Sequence, residues 1–201
     1  MTETDFKKYN GFKVFHYKII DSTQKEIFRR VKKGSIEDRT IINADIQTSG
    51  IGTHGRVWHT DEENNIAFSV YFDLSKMNCK IDKLDGLTVK IAEDIVKVFR
   101  KLYGINLDIK FPNDIYCNGR KLGGILTETK VQNGLVRCVV IGVGINTNQI
   151  MFADEIKDIA TSIRREFGIE VENSKVISEF FALGTVPFAK RTVPNTKKGG
   201  N

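Results

Sequence analysis

Cysteine, histidine, tryptophan and long apolar runs are all scarce in this chain, and each scarcity excludes something. There are three cysteines, Cys79, Cys117 and Cys138. That odd number, without metal-ligand spacing, predicts neither a disulfide framework nor a zinc site. No apolar run approaches the ~20 residues that a membrane-spanning helix needs. The polar start from Met1 to Lys8 leads into no signal-peptide core, so a reducing, cytoplasmic setting is expected. The three histidines, His16, His54 and His59, are scattered and form no His-Glu-x-x-His pair. Also missing are a Gly-x-x-x-x-Gly-Lys phosphate loop and a Gly-x-Ser-x-Gly nucleophile elbow. Residues 50–55 are not set between a strand and a helix as a dinucleotide fingerprint would be.

Charge is equally uninformative about nucleic acid. Lys plus Arg number 31 against 25 Asp plus Glu, a formal net charge of +6. Without Lys190, Arg191, Lys197 and Lys198 in the tail it falls to +2. No basic stripe runs beside aromatic residues, so neither a DNA nor a membrane partner is expected. An acidic protein partner stays open.

What is present suits one globular domain: 201 residues, 40% hydrophobic and 28% charged. Residues 13–20 read as a strand, and Asp21-Ser22-Thr23 starts a helix that Gly34 stops. Residues 40–46 and 65–71 read as strands, the latter with Ile66, Phe68 and Val70 alternating. Between them residues 47–65 lose all periodicity, which in a compact domain is more often functional than not. Leu84, Leu87, Ile91, Ile95, Val98 and Leu102 recur at three and four, predicting a helix over 83–103. Strands are predicted at 107–110, 115–117, 123–129 and 136–143, with hairpin dipeptides Asn118-Gly119 and Asn133-Gly134. Weaker helical patterns cover 155–167 and 174–183. The expected fold class is α+β, a mixed, largely antiparallel sheet flanked by helices, with a tail from 184 to 201 that lacks any pattern.

Three stretches could carry chemistry. In residues 47–58, Gly50, Gly52 and Gly55 let a backbone approach a ligand and turn amides toward an anion. Arg56 adds forked donors suited to phosphate, and Trp58, the only tryptophan, could stack on a base or cap a pocket. A plain hairpin with Trp58 in the core is the competing reading. In Lys110-Phe111-Pro112-Asn113-Asp114 a lysine ends a strand and the proline holds Phe111 extended. That offers a point charge to developing negative charge, although such a lysine is commonly just a surface residue. In Lys121-Leu122-Gly123-Gly124-Ile125-Leu126-Thr127-Glu128 and Gly142-Val143-Gly144-Ile145-Asn146, paired glycines mark a backbone close to something bulky, ligand or neighbouring element.

In combination and in order, Asp21 to Gln24, Gln47 to Trp58, Lys110 to Asp114, Lys121 to Glu128 and Ile141 to Asn146 resemble the biotin protein ligase (biotin–acetyl-CoA-carboxylase ligase) family. The resemblance implies the class II synthetase-like catalytic fold of biotin and lipoate ligases over residues 1–183. It implies ATP-dependent joining of biotin to a lysine of a carboxylase's biotin carboxyl carrier domain through biotinyl-adenylate, with Mg2+ expected. By the same resemblance Ser22, Thr23, Gln24, Gln47, Ile51, Gly52, Thr53, Gly123 and Gly124 contact biotin. Lys110 would bind biotin's carboxylate and the α-phosphate, and Lys110 and Arg56 are the expected catalytic contacts. Arg56, Trp58, Asn113, Lys121 and Asn146 would hold ATP. Ile51 and Thr53 depart from the family, since many relatives carry arginines there, and this predicts looser retention of the adenylate. No helix-turn-helix is expected before the catalytic region, and the small β-barrel that follows it in relatives is expected to be absent or truncated. A homodimer is compatible with the resemblance. Two alternatives stay open: a non-catalytic biotin-sensing module and a lipoate or octanoate transferase.

Overall fold

The computed structural model describes residues 3–9, 11–58 and 64–183; His59 and the tail 184–201 lie outside the described residues. Its centre is an eight-stranded sheet in the order β1-β2-β3-β6-β10-β9-β8-β7. The strands are β1 (Glu3–Tyr9), β2 (Phe12–Ile20), β3 (Thr40–Gln47), β6 (Ile66–Asp73), β7 (Asp108–Lys110), β8 (Asp114–Cys117), β9 (Arg120–Gln132) and β10 (Leu135–Ile145). A separate two-stranded ribbon pairs β4 (Gly50–Ile51) with β5 (Val57–Trp58). Only β2 and β3 run parallel. The helix α1 (Thr23–Lys33) joins them, because a parallel pair needs a crossover. Every other neighbouring pair is antiparallel, so the mixed, largely antiparallel α+β reading holds.

Local chemistry explains most element ends. Ser22 caps α1 by accepting the Lys25 N–H, and Gly34 closes it in the left-handed region. The helix α2 (Leu87–Tyr103) ends the same way at Gly104. Asn118-Gly119 and Asn133-Gly134 all have positive φ, at 49°, 77°, 52° and 74°. They close two-residue hairpins between β8 and β9 and between β9 and β10. β6 is buried from Ile66 to Phe72, as a central strand covered on both faces should be.

The sheet separates two apolar cores. One face packs Ile41, Val70, Phe72, Val139 and Ile141 against Ile91, Ile95, Val98 and Phe99 of α2 and Phe180 and Phe181 of α4 (Asn173–Ala182). The other packs Ile42, Tyr71 and Val140 against Ile27 of α1. Buried Asp94 on α2 is neutralised by Lys90 at 2.7 Å. All three cysteines are free and buried; burial pushes the Cys117 thiol up to about 11, which leaves it an inert packing group.

Two expectations change. The polar start contains a strand, β1, which pairs antiparallel with β2 at the sheet edge, where ladder hydrogen bonds and not apolar alternation define it. The helix expected over 155–167 is confined to α3 (Ile163–Phe167). The segment before it turns and then bridges to β9, with Lys121 N–H donating to Ile159 O at 2.7 Å and Thr161 N–H to Lys121 O at 2.9 Å. Those backbone groups serve the sheet and so cannot complete a helix.

Candidate functional site

The register of β3 shapes the site. Thr40 to Asn43 pair with β6, and the remainder of β3 pairs with β2 alone among the described residues. Gln47, at its end, turns to the start of α1. Gln47 Oε1 accepts the backbone N–H of Thr23 at 2.8 Å and faces the Thr23 hydroxyl at 3.1 Å. The Thr23 hydroxyl lies 2.8 Å from that of Ser69 on β6. Ser69 donates to Gln24 Oε1 at 2.8 Å, and Gln24 Nε2 donates to Glu128 Oε2 at 2.9 Å. Thr23, Gln24, Gln47 and Ser69 close one end of a cavity that Ile51, Gly52, Thr53, Trp58, Asn113, Asp114, Lys121, Gly124 and Gly144 also line.

The glycines answer the question their spacing raised. A Cβ on Gly144 would lie 2.5 Å from Cε2 of Trp58, and one on Gly142 would lie 2.8 Å from Gln24 Oε1. The bulky neighbours are thus an indole and an amide that both line the cavity. Gly123 differs, because its Cβ would meet the Gly144 carbonyl at 2.8 Å. It accommodates β10, and Gly124 faces the cavity.

Two further clefts adjoin. One is lined by Gly52, Arg56, Trp58, Asn146, Gln149, Phe152, Ile156 and Ile159, and the other by His54, Arg56, Lys110, Phe111, Asn113, Asp114 and Tyr116. Thr53 and Lys121 are the two residues that line all three. Lys121 Nζ lies 2.8 Å from Asp114 Oδ1, which Asn113 Nδ2 also reaches at 3.1 Å. Lys110 is exposed at the end of β7. Its ammonium is 3.5 Å from the Tyr116 hydroxyl and 5.1 Å from the ring centroid, in the outer cleft and not in the inner cavity. His54 holds a left-handed conformation at φ 58° in the 3-10 turn between β4 and β5. His16 sits in β2, 3.3 Å from Asp45 and outside all three clefts.

Buried amides build the wall beside Asn146. Asn65 Oδ1 accepts the backbone N–H groups of Thr147 at 2.9 Å, Asn148 at 3.3 Å and Gln149 at 3.3 Å. Asn146 Nδ2 donates to Thr161 O at 3.2 Å. Next to Ser22 in the chain, Asp21 receives two bonds from Arg29, at 2.7 and 2.8 Å. That forked guanidinium holds its carboxyl at about 2, below the ordinary 3.8. Sequence reasoning overlooked Ser69 and the bond from Gln24 to Glu128. The available signal was a serine among the apolar residues Ile66, Ala67, Phe68 and Val70 of β6.

An α+β domain with a small polar-ended cavity, opening into clefts that carry lysine and arginine, is the class of protein that holds a small ligand beside an anionic one. The particular family follows from comparison: the chain belongs to the biotin/lipoate A/B protein ligase family, whose model matches residues 16–146. It is 38% identical over 169 residues to the bifunctional ligase/repressor BirA of Bacillus subtilis, covering 83% of this chain and 51% of that protein. It is 28% identical over 145 residues to the biotin–[acetyl-CoA-carboxylase] ligase of Mycobacterium tuberculosis, covering 71% and 51%. The chain thus spans about half the length of these curated relatives. Among solved structures it resembles the biotin protein ligase of Aquifex aeolicus in complex with biotin and ATP. That match has a TM-score of 0.70 and 27% identity, covering 84% of this chain and 67% of that one. Among the described residues no helix is long and apolar enough to cross a membrane.

Proposed function

We propose that residues 1–183 form the catalytic region of a biotin protein ligase, which activates biotin with ATP and passes it to a lysine of a carboxylase's biotin carboxyl carrier domain. The observation that carries this is the meeting of three clefts at Thr53 and Lys121. A ligand seated in the inner cavity would bring its far end to that junction, beside cations of the outer clefts. A similar chain that binds biotin and ATP supports the reading.

Biotin's ring end would meet Ser22, Thr23, Gln24 and Gln47, with Gly124 beneath and Ile51, Gly52 and Thr53 above. Its carboxylate would point to the junction. There one carboxylate oxygen attacks the α-phosphorus of ATP, the bond to the β-phosphate breaks, and pyrophosphate leaves. Lys110, Lys121 and Arg56 would offset the repulsion between the two anions. Trp58 and Asn146 would hold the nucleotide, with Asn113 at the phosphate side. In the second step the acceptor amine attacks the acyl carbon and AMP leaves with the bonding electron pair. The mixed anhydride hydrolyses readily, so covering it with the turn at 52–55 would protect it. Magnesium would arrive on the nucleotide phosphates as part of the substrate. No three His, Cys, Asp or Glu residues gather as a metal site among the described residues. Such a ligase would work in the cytoplasm, is compatible with pairing of two copies, and needs no DNA-binding role from the described residues.

The test is biotin- and magnesium-dependent exchange of labelled pyrophosphate into ATP. Exchange in the native chain that disappears in Lys110→Ala would support the assignment. Biotin binding without exchange would favour a non-catalytic biotin-sensing module, which Ile51 and Thr53 motivate. Lipoate-dependent exchange in place of biotin would move the activity to a lipoate or octanoate transferase.

A further inference from the structure

The polar end of the inner cavity is short of one proton, and Glu128 is the reason. Its members form a line of four oxygens: Gln47 Oε1, Thr23 Oγ1, Ser69 Oγ and Gln24 Oε1, separated by 3.1, 2.8 and 2.8 Å. The two terminal oxygens are amide carbonyls and only accept. Gln47 is held oxygen-inward by the Thr23 backbone N–H at 2.8 Å. Gln24 is held with its nitrogen outward by the Glu128 carboxylate at 2.9 Å, since an ionised carboxylate only accepts. Three gaps must therefore be filled by the two hydroxyl protons of Thr23 and Ser69. Ser69 gives its proton to Gln24, and the single Thr23 proton is left with two acceptors, Gln47 Oε1 and Ser69 Oγ. One of the two gaps at Thr23 is therefore left as two lone-pair oxygens facing each other.

We infer that Glu128 is a positioning residue for ligand choice: by locking Gln24 it leaves the oxygens around Thr23 one donor short, in need of an outside N–H. The inference rests on the biotin reading and deepens it. Biotin's cyclic urea carries two N–H groups and can supply that proton, whereas a dithiolane ring has none. The line lies where its polarity matters, because Thr23, Ser69, Gln24 and Gln47 all line the cavity. Three of these side chains belong to residues at most 3% exposed, Thr23, Gln24 and Ser69, so an unmade hydrogen bond among them is costly. Gly142 makes the arrangement possible, since a side chain there would strike Gln24 Oε1.

Glu128→Gln tests this. The introduced amide can donate as well as accept, so Gln24 can rotate and donate to Ser69. Ser69 then donates to Thr23 and Thr23 to Gln47, filling all three gaps without a ligand. Titration calorimetry without ATP would compare biotin with a biotin whose urea N–H groups are methylated. The native chain should prefer biotin, and Glu128→Gln should reduce that preference about tenfold, roughly the worth of one buried hydrogen bond to a ligand. Steric effects of the methyl groups are common to both proteins and cancel in the ratio. A purely structural role for Glu128 would weaken both ligands together. Ser69→Ala serves as a second variant should the first fold poorly: it frees the Thr23 proton for Gln47 and should erase the same preference. Biotin binding with an undiminished preference in folded variants would overturn the role of Glu128 and leave the ligase reading intact. A native chain that does not bind biotin would overturn both.

Discussion

Gly144→Ala should dislodge the single tryptophan and weaken the nucleotide. The added Cβ would lie 2.5 Å from Trp58 Cε2, 2.7 Å from Cζ2 and 2.9 Å from Nε1. Carbon atoms pack comfortably at ~3.5–4.0 Å, so one partner must retreat by about 1 Å. Gly144 cannot, because it is fixed in the sheet between Ala67 of β6 and Gly124 of β9. Trp58 is held by a ribbon of only two residues per strand, so the indole moves. A base stacked on an aromatic ring is worth ~1–3 kcal/mol, and a 1 Å displacement should forfeit much of it. The expected result is an ATP dissociation constant raised about fivefold to fiftyfold. Because Trp58 is the only tryptophan, intrinsic fluorescence reports its surroundings directly, and its emission maximum should shift in the variant. Unchanged emission together with an ATP affinity within about twofold of native would refute the packing argument and the placement of the base on Trp58.

Thr53 lines all three clefts and brings no charge to their junction. Thr53→Arg should slow release of biotinyl-adenylate about tenfold to hundredfold, by adding a charge-assisted bond of ~1.5–3 kcal/mol; unchanged release in a rapid-mixing assay would sink this. Asn65→Ala should cost about 3 kcal/mol in denaturant unfolding, since it strands the buried N–H groups of Thr147, Asn148 and Gln149. Asp21→Asn should cost ~1 kcal/mol at neutral pH, after discounting the partly exposed Arg29 for solvent screening. The carboxyl is held at about 2 against an ordinary 3.8. Its contribution is therefore complete above about pH 4 and fades as pH falls toward 2, where native and variant melting curves should converge.

Features governed by neighbouring residues were legible in the sequence alone. Apolar spacing marked α2, alternation marked β6, and Asn-Gly pairs marked both hairpins, because periodicity and positive φ are local stereochemistry. The ordered motifs likewise pointed to the family whose model matches residues 16–146. Periodicity misled at residues 155–160, where Ile156 and Ile159 suit a helix but the chain makes local turns and the Ile159 carbonyl and Thr161 N–H are claimed by β9. The glycines at 142 and 144 announced close neighbours without naming them. Only the folded sheet brings Gln24 and Trp58 against them. Tertiary structure also decided which lysine stands where. Lys110 and Lys121 both belong to conspicuous motifs, yet Lys110 lies in the outer cleft while Lys121, turned inward on β9 beside Asp114, lines every cleft of the site. The proton shortfall beside Thr23 is of the same kind. It arises from α1, β3, β6 and β9 each contributing polar groups to a single line, a sum of directions that no one segment contains.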